Sequence, residues 1–445
     1  MTIHTRYNPK SAWIMTALLT ALAMINFLDK IVIGMVAVPL IAELHLSPAE
    51  FGLVAGSFFW LFSVSAILVG FLANRFPTRW ILLAMGVSWA VLQLPQAFAS
   101  SAVALLVCRV VLGAAEGPSF PTSVHAIFKW FPDRHRNLPV AIINQGAAMG
   151  MILAGLAIPL ITKHWGWRMN FFLLTAIGVM WSVLWLCFGR EGTLDDAPRA
   201  PGAAAATKVK TKAEAEAAGV PDAQRQPYLR MLTDRSVLCV FLLCFAAYWL
   251  LGQTITWLPT WFEKGLGFSG VTAGRCFALV ILAIAMGNIG LSWLSQRMLN
   301  GGATSRQARV QLICVAMIVA ALLLIALMLV DLSAAAKVVL YAVAGALPAV
   351  CLSVTPALLA EMVPTAQRAS MVAINTAVAS LGAAISPGVM GRIVQAYGSG
   401  TSHAYEIGFV VGAALMIGVS LCALRWLHPA RAQHALKDAA AAVTA

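Results

Sequence analysis

The sequence predicts an all-α membrane protein with twelve transmembrane helices arranged as two six-helix bundles. Of its 445 residues, 60% are apolar and 11% are charged, whereas soluble domains average roughly 45–50% apolar and about 25% charged residues. The mean hydropathy is +0.84. A soluble protein of this size would need many more polar residues to cover its surface, so we expect the chain to lie in a lipid bilayer.

Twelve apolar segments are long enough to cross a bilayer, which takes about 20 helical residues. In the first half of the chain they cover residues 13–37, 50–72, 80–99, 102–125, 138–162 and 168–189. In the second half they cover residues 236–262, 271–296, 307–331, 335–360, 369–391 and 405–427. These segments predict a six-helix bundle over residues 1–189 and a second bundle with a C-terminal tail over residues 236–445.

Residues 190–235, between the two bundles, predict a solvated linker. An Ala-rich run at 203–206 precedes Lys208, Lys210 and Lys212, and acidic residues follow. Such a polar, low-complexity composition cannot build a packed core.

Short matches between the halves suggest an internal repeat, which is typical of transporters. Residues 72–75 read Leu-Ala-Asn-Arg after the second helix, and residues 294–297 read Leu-Ser-Gln-Arg after the eighth. Chance similarity of basic helix ends is the alternative explanation.

The net charge of +13 comes from 30 Lys and Arg against 17 Asp and Glu. A basic balance often indicates nucleic-acid binding, but here most basic residues lie in the linker, the termini and the connections on the same side of the membrane. This is the positive-inside pattern. We therefore expect both termini and the linker to be cytoplasmic, a location in a bacterial inner membrane, and no nucleic-acid partner. Arg6 and Lys10 precede the first apolar run, which we expect to be an uncleaved helix.

Ionisable residues inside the hydrocarbon cost roughly 2.5–3.5 kcal/mol each on insertion scales, and four of them stand out in this sequence. Asp29 and Lys30 lie in helix 1, and Arg109 and Glu116 lie in helix 4. Arg109 and Glu116 are two helical turns apart and share a face. Two interpretations remain: a charge-balanced lock between the helices, or a proton relay in which protonating a carboxylate releases its arginine and biases which side opens.

Motifs for enzyme chemistry are missing or out of context. Residues 265–270 match G-x-G-x-x-G but lie between two membrane helices without a preceding strand, so they predict a loop. The sequence has neither a P-loop nor an HExxH motif, and its eight cysteines include no CxxC pair. We therefore expect no enzyme, no cofactor, no metal site and no disulfide framework.

Glycine pairs predict close contacts between helices. Gly52 and Gly56, Gly113 and Gly117, and Gly146 and Gly150 are each four residues apart.

Several segments resemble the major facilitator superfamily, and the resemblance covers all twelve helices and the linker. Residues 70–79 are similar to its signature loop, although Asn74 and Pro77 replace the usual acid and glycine. Residues 109–118 (Arg-Val-Val-Leu-Gly-Ala-Ala-Glu-Gly-Pro) and 130–136 (Trp-Phe-Pro-Asp-Arg-His-Arg) resemble the anion:cation symporter family. That family includes bacterial galactonate, glucarate and hexuronate carriers, phthalate and hydroxyphenylacetate carriers, and sialin.

The resemblance implies roles for the charged residues. Asp29 and Glu116 would take part in proton coupling, Arg109 would pair with them, and Lys30 would contact a substrate carboxylate. The family usually has arginine at this last position, and lysine keeps the charge without the bidentate fork.

Two phenylalanines depart from the family pattern. Phe27, in the run 26–30 (Asn-Phe-Leu-Asp-Lys), and Phe62 both stand where tyrosine is common. Their missing hydroxyls leave fewer hydrogen-bond partners for a polyhydroxylated sugar acid.

Other polar or aromatic residues at membrane depth are candidates for lining a substrate cavity. Together with Lys30, the candidates are Asn26, Phe27, Asn144, Gln145, Gln253, Trp257, Ser353, Thr355 and Asn375. The alternative for each polar residue is a hydrogen bond between helices, worth about 0.6 kcal/mol.

The combined prediction is a proton-coupled symporter that imports an organic carboxylate by alternating access. An aromatic acid, a hydroxy acid and a sugar acid such as an aldonate or hexuronate all fit, and we expect a monomer. A drug-exporting antiporter is the main alternative, although residues 144–159 lack the Gly-Pro-Gly-Gly cluster such exporters tend to show. A membrane sensor would need an output domain, for which the chain has no room.

Overall fold

In the described part of the chain, the computed structural model has twelve helices that are long and apolar enough to cross a membrane, which confirms the predicted number. The structure describes residues 8–72, 76–132, 135–192, 226–364 and 367–432, and no strand occurs within them. The first six helices are α1 Pro9–Met35, α2 Pro48–Ala66, α3 Thr78–Ala97, α4 Ala102–Phe128, α5 Asn137–Trp165 and α6 Arg168–Phe188. The others are α7 Arg235–Thr256, α8 Gly270–Asn300, α9 Arg306–Leu329, α10 Ala334–Met362, α11 Ser370–Tyr397 and α12 Ser402–Trp426.

Local sequence signals explain where several helices begin. Asn8 accepts a hydrogen bond from the Ser11 amide at 3.3 Å, and Pro9 occupies the first turn of α1. Ser47 and Glu50 form a reciprocal capping box at the start of α2. Such caps satisfy amides that have no partner within the helix.

The predicted seventh segment, 236–262, is longer than α7. Helix α7 ends at Thr256, and after a turn at Trp257 the chain forms a short helical segment, Leu258–Thr260, and then a π-helix, Trp261–Gly265. Gly265 ends the π-helix and Gly270 begins α8, so residues 266–269 form the connection, with Gly267 at φ +74°. The loop prediction for the G-x-G-x-x-G match is therefore confirmed for these four residues.

Two helices near the predicted charges are interrupted. Helix α2 breaks between Ser57 and Phe62, and α4 consists of Ala102–Glu116 and Ser119–Phe128. Pro118 lacks the amide that a continuous helix would need. Glu116 therefore lies at the end of a helical segment.

The predicted glycine pairs lie where helices approach closely. A Cβ at Gly113 or Gly117 would collide with the Phe58 or Phe62 carbonyl on the α2 side. A Cβ at Gly150 would collide with Met24 on α1.

Glycines also join the first six helices to the last six. A Cβ at Gly34 on α1 would collide with the Ile255 carbonyl on α7, and one at Gly52 on α2 would collide with the Pro387 carbonyl on α11. The ring centroids of Phe51 and Trp257 lie 5.1 Å apart across the same boundary. These contacts lie at the end of the molecule that carries the α1–α2 and α7–α8 connections, and we call it the closed end.

At the opposite end, Glu191 holds three elements of the first half together. It accepts hydrogen bonds from the Thr78 amide and hydroxyl, at 3.1 and 2.8 Å, and from the Arg79 amide at 2.8 Å, so it caps α3. Lys129, which follows α4, donates to it at 2.5 Å. Partial burial opposes ionisation of Glu191, but the bonds from Lys129, Arg79 and Thr78 outweigh it and lower its pKa below the ordinary value.

Parts of some sequence predictions lie outside the described residues. These parts are residues 73–75 of the signature loop, Asp133 and Arg134 of the 130–136 motif, and 193–225 of the linker. The division into residues 1–189, 190–235 and 236–445 therefore stays a prediction.

Candidate functional site

The four ionisable residues predicted inside the membrane form one buried cluster. Asp29, Lys30, Arg109 and Glu116 are each 6% exposed or less. We call these four residues the charge cluster. Formally it contains two cations and two anions, so it is balanced without solvent.

Asn26 connects the lysine and the glutamate of the charge cluster. Lys30 Nζ donates to Asn26 Oδ1 at 2.5 Å, and Asn26 Nδ2 donates to Glu116 Oε2 at 2.7 Å. Lys30 Nζ and Glu116 Oε2 are themselves 3.9 Å apart. Asn26 and Lys30 are one helical turn apart on α1, which places both side chains on the same face.

Three phenylalanine rings surround the Lys30 ammonium. Its nitrogen lies 4.4 Å from the Phe27 ring centroid, 4.8 Å from that of Phe62 and 5.8 Å from that of Phe58. A cation over a ring face is attracted by the ring quadrupole, most strongly where water is excluded. We call these three rings the aromatic cage.

Arg109 differs from the pairing that the resemblance implied. Its guanidinium donates to the main-chain carbonyls of Asp29 and Lys30, at 3.1 and 3.3 Å, and lies 4.7 Å from the Phe58 ring centroid. Among the described residues it forms no ion pair with either carboxylate of the cluster. Main-chain oxygens of α1 accept from its two terminal nitrogens instead, while its Nε has no partner among the described residues, so the arginine anchors α4 to the α1 backbone.

The Asp29 carboxylate is buried, and neither oxygen has a hydrogen-bond partner among the described residues. Its polar neighbours are Gln93, Arg109 and Lys30. Gln93, on α3, is fully buried; its Oε1 accepts from Gln96 at 3.0 Å, while its Nε2 has no partner within the described chain. The sequence reasoning missed Gln93, and the available signal was a pair of glutamines three residues apart in an apolar helix.

A second polar cluster lies in the C-terminal six helices around the Cys244 thiol of α7. The Cys244 sulfur lies 3.0 Å from Thr355 Oγ1, accepts from Asn375 Nδ2 at 3.2 Å and lies 3.9 Å from the Cys351 sulfur. We call these four residues the thiol cluster. All four are buried, and Asn375 Oδ1 has no partner in the described chain. Thr355 and Asn375 were predicted as cavity residues, whereas for the cysteines the sequence predicted only the absence of a disulfide framework.

The other candidates lie outside both clusters. Gln253 donates to the Gly408 carbonyl at 2.9 Å, and Trp257 donates to the Pro387 carbonyl at 2.9 Å. These are helix-to-helix bonds, the alternative that the sequence left open. Ser353 donates to Asn288 on α8 at 2.8 Å.

Asn144 and Gln145, on α5, are exposed. Neither forms a side-chain hydrogen bond within the described part of the chain.

The described residues contain no group of three or more His, Cys, Asp or Glu side chains that could hold a metal ion. All eight cysteines are free thiols.

Within the described residues, twelve apolar helices, close contacts between two sets of six, and buried charges define a multi-pass membrane protein. The sequence profile described as Major Facilitator Superfamily matches residues 18–342 and 301–444. The chain belongs to this superfamily.

Curated relatives match part of the chain. It is 26% identical over 270 residues to a protein named hexuronate transporter from Bacillus subtilis, covering 60% of each chain. It is 28% identical over 287 residues to a probable sulfoacetate transporter from Cupriavidus necator, covering 64% of this chain and 65% of the relative. The matched region therefore spans less than two thirds of the length of these relatives.

Solved structures share the fold over nearly the whole chain. A bacterial homologue of the human lysosomal transporter Spinster, in an inward-facing and occupied conformation, superposes with a TM-score of 0.73 at 19% identity, covering 97% of both chains. A D-xylose-proton symporter superposes with a TM-score of 0.64 at 17% identity, covering 90% of this chain and 96% of that one.

Proposed function

We propose that the protein is a symporter that imports a small organic carboxylate together with protons, by alternating access, across a bacterial inner membrane. The observation that carries the proposal is the buried Lys30 ammonium, held by Asn26 and the aromatic cage at 3.9 Å from Glu116. The names of the hexuronate and sulfoacetate relatives support an anionic substrate.

Lys30 is the proposed anchor for the substrate carboxylate. Its separation from Glu116 is longer than the 2.7–2.9 Å of a charge-assisted hydrogen bond. A substrate carboxylate at 2.7–2.9 Å from Lys30 Nζ would interact with it more strongly than Glu116 does at 3.9 Å. Binding therefore transfers the ammonium from Glu116 to the substrate.

The charge balance of the cluster supports proton coupling. A substrate carboxylate adds a third anion to two cations and two anions, and an uncompensated charge in a buried site is costly. One proton on Glu116 or Asp29 restores the balance. Glu116 Oε1 and both Asp29 oxygens lack partners among the described residues, so a proton can bind there without displacing a donor.

The same balance favours symport over antiport. An anion and a proton compensate each other, so they bind together. A cationic drug would instead compete with the proton for these carboxylates, which is the arrangement an antiporter needs. The charge of the substrate therefore separates the two functions.

Alternating access follows from the position of the anchor. Gly34, one turn after Lys30 on α1, packs against the Ile255 carbonyl of α7 at the closed end. A change in the charges around Lys30 acts on the same helix that seals this end. With the basic linker and both termini on the cytoplasmic side, the closed end faces outward, and we propose a monomer as the working unit.

The experiment that tests this function measures proton movement caused by carboxylates. Purified protein in proteoliposomes, with a pH dye outside, should make the outside more alkaline when a transported carboxylate is added. Lys30→Ala should remove the signal, and Lys264→Ala, in the α7–α8 connection, should keep it. Acidification of the outside, or a signal from organic cations, would refute symport of an anion.

Topology has its own test. Fluorescent reporters fused after residues 200 and 430 should both fluoresce in the cytoplasm, because the basic residues favour that side. A periplasmic reporter signal at either position would refute the assignment.

A further inference from the structure

We propose that Gln93, on α3, is a positioning residue for the proton step: it presents its amide nitrogen to Asp29 and so favours release of the proton from that carboxylate. This inference rests on the proposed function and deepens it, since it assigns the transported proton to Asp29 and not to Glu116. During import the proton leaves Asp29 for water on the cytoplasmic side.

Asp29 and Gln93 are buried neighbours with complementary unused groups. Asp29 is 1% exposed, and Gln93 is fully buried. Neither carboxylate oxygen of Asp29 has a hydrogen-bond partner among the described residues, and the Nε2 donor of Gln93 has none either. Gln93 is one of the polar neighbours of Asp29. A buried donor and a buried acceptor that both lack partners each gain from contact with the other.

Gln96, three residues farther along α3, fixes which end of the Gln93 amide is free. Gln96 Nε2 donates to the Leu92 main-chain carbonyl at 3.2 Å and to Gln93 Oε1 at 3.0 Å. Because a carbonyl oxygen only accepts, the nitrogen of Gln96 must face Leu92. The same nitrogen requires the oxygen of Gln93, which leaves the nitrogen of Gln93 for another partner. The fold therefore offers Asp29 a donor and not an acceptor.

An amide donor distinguishes the two forms of a carboxyl group. The ionised form only accepts hydrogen bonds, and bonds to it are roughly twice as strong as those between neutral groups. The protonated form carries a hydroxyl that needs an acceptor, whereas the Gln93 oxygen is turned toward Gln96. Gln93 therefore stabilises the ionised form of Asp29 more than the protonated form, and this difference favours proton release.

The other members of the charge cluster do not replace this donor. Lys30 follows Asp29 on α1, but adjacent residues on a helix point about 100° apart. The Lys30 ammonium lies at the aromatic cage, 3.9 Å from Glu116. Glu116 itself faces Asp29 from α4 as a second carboxyl group, and an ionised carboxylate has no hydrogen to donate.

Arg109 also faces Asp29 from α4, and its Nε has no partner among the described residues. Its terminal nitrogens are anchored to main-chain carbonyls of α1. Its attraction for Asp29 persists in every Gln93 variant, so such variants report the amide alone. Helices α5, α6 and α7 also pack on α1, and their described residues add no charged group to the neighbours of Asp29.

Net uptake measured against internal pH isolates the release step. Purified protein in proteoliposomes would take up a transported carboxylate at constant external pH, while the internal pH is stepped upward. Gln93→Met removes the donor and keeps the length of the side chain. It should raise the internal pH at which uptake is half-maximal by about one pH unit, because the ionised form of Asp29 loses a hydrogen bond.

Two further measurements separate positioning from structural damage. Exchange of labelled for unlabelled substrate needs no net proton release, so Gln93→Met should keep the exchange rate of the unchanged protein. Gln96→Met lets the Gln93 amide turn and should shift the pH profile in the same direction by a smaller amount. The matched control is Ser88→Ala on α3, whose hydroxyl donates to the Ala84 and Met85 carbonyls of its own helix. It should leave the profile unchanged.

The outcomes separate this inference from the proposed function. A Gln93→Met profile that coincides with that of the unchanged protein would overturn the role of Gln93 while symport of a carboxylate and a proton stands. A shift to lower internal pH, or an equal loss of uptake and exchange, would overturn it as well. If carboxylates move no protons in the unchanged protein, the proposed function fails, and this inference fails with it.

Discussion

Lys30 and Glu116 lie 3.9 Å apart, nitrogen to oxygen, and Asn26 is hydrogen-bonded to both side chains. The amide thus holds a cation and an anion near each other without a direct hydrogen bond between them. Such a pair can be separated at lower cost than a close ion pair, because the Coulomb attraction is already weakened by distance. This geometry is the basis of the first two predictions.

Neutral substitutes for the two carboxylates should uncouple transport from protons. Glu116→Gln and Asp29→Asn keep the side-chain shape but cannot titrate, so both should abolish accumulation of substrate against its gradient in proteoliposomes. At least one should retain exchange of labelled for unlabelled substrate. Asp331→Asn, in the exposed α9–α10 connection, is the control. If both variants still accumulate substrate, the charge cluster only locks α1 to α4.

Removing the anchor should abolish carboxylate binding. Lys30→Ala eliminates the ammonium, whereas Lys30→Arg keeps the charge. Thermal-shift screening should therefore show stabilisation by carboxylates in the unchanged protein, partial stabilisation in Lys30→Arg and none in Lys30→Ala. Their amides and neutral sugars should have no effect on any of the three. Stabilisation by uncharged sugars would contradict the role of Lys30.

Glu191 should make stability depend on pH in the acidic range. Its pKa is lowered in the folded protein, so its contribution is present above the unfolded pKa of about 4.3 and is lost as pH falls through the folded value. The melting temperature of Glu191→Gln should be lower than that of the unchanged protein at pH 7, and the difference should shrink below about pH 4. The control is Glu50→Gln, a similar change at the α2 cap, which should leave the contacts of Glu191 with Lys129 and α3 intact. A difference that is constant with pH would contradict this assignment.

Hydropathy alone predicted the twelve helices, because each crossing must be apolar and each buried charge is costly. The same cost identified Asp29, Lys30, Arg109 and Glu116 before the structure placed them together. The acceptors of Arg109 are main-chain carbonyls. Every residue has one, so the residue types do not indicate which carbonyls Arg109 contacts.

The thiol cluster escaped prediction for a related reason. Cys244 lies in an apolar run, where a thiol resembles any small core residue. Its contacts with Thr355 and Asn375 join α7 to two helices more than 100 residues away in sequence, so only the fold reveals them. Gln93 is similar, because its neighbour Asp29 comes from another helix.

The closed end offers the sharpest test of alternating access, through two glycines that differ only in their surroundings. A Cβ at Gly52 would collide with the Pro387 carbonyl on α11, whereas a Cβ at Gly290 on α8 meets nothing within 4 Å. Glycine-to-alanine changes within a helix otherwise favour folding by about 1 kcal/mol. Gly290→Ala should therefore leave transport unchanged and stability unchanged or raised. Gly52→Ala should separate α2 from α11 and so raise hydrogen exchange over residues 48–57 and 384–397. It should also lower net uptake, because the conformation in which the closed end is shut becomes less populated. Equal exchange and uptake in the two variants would show that this contact does not control access.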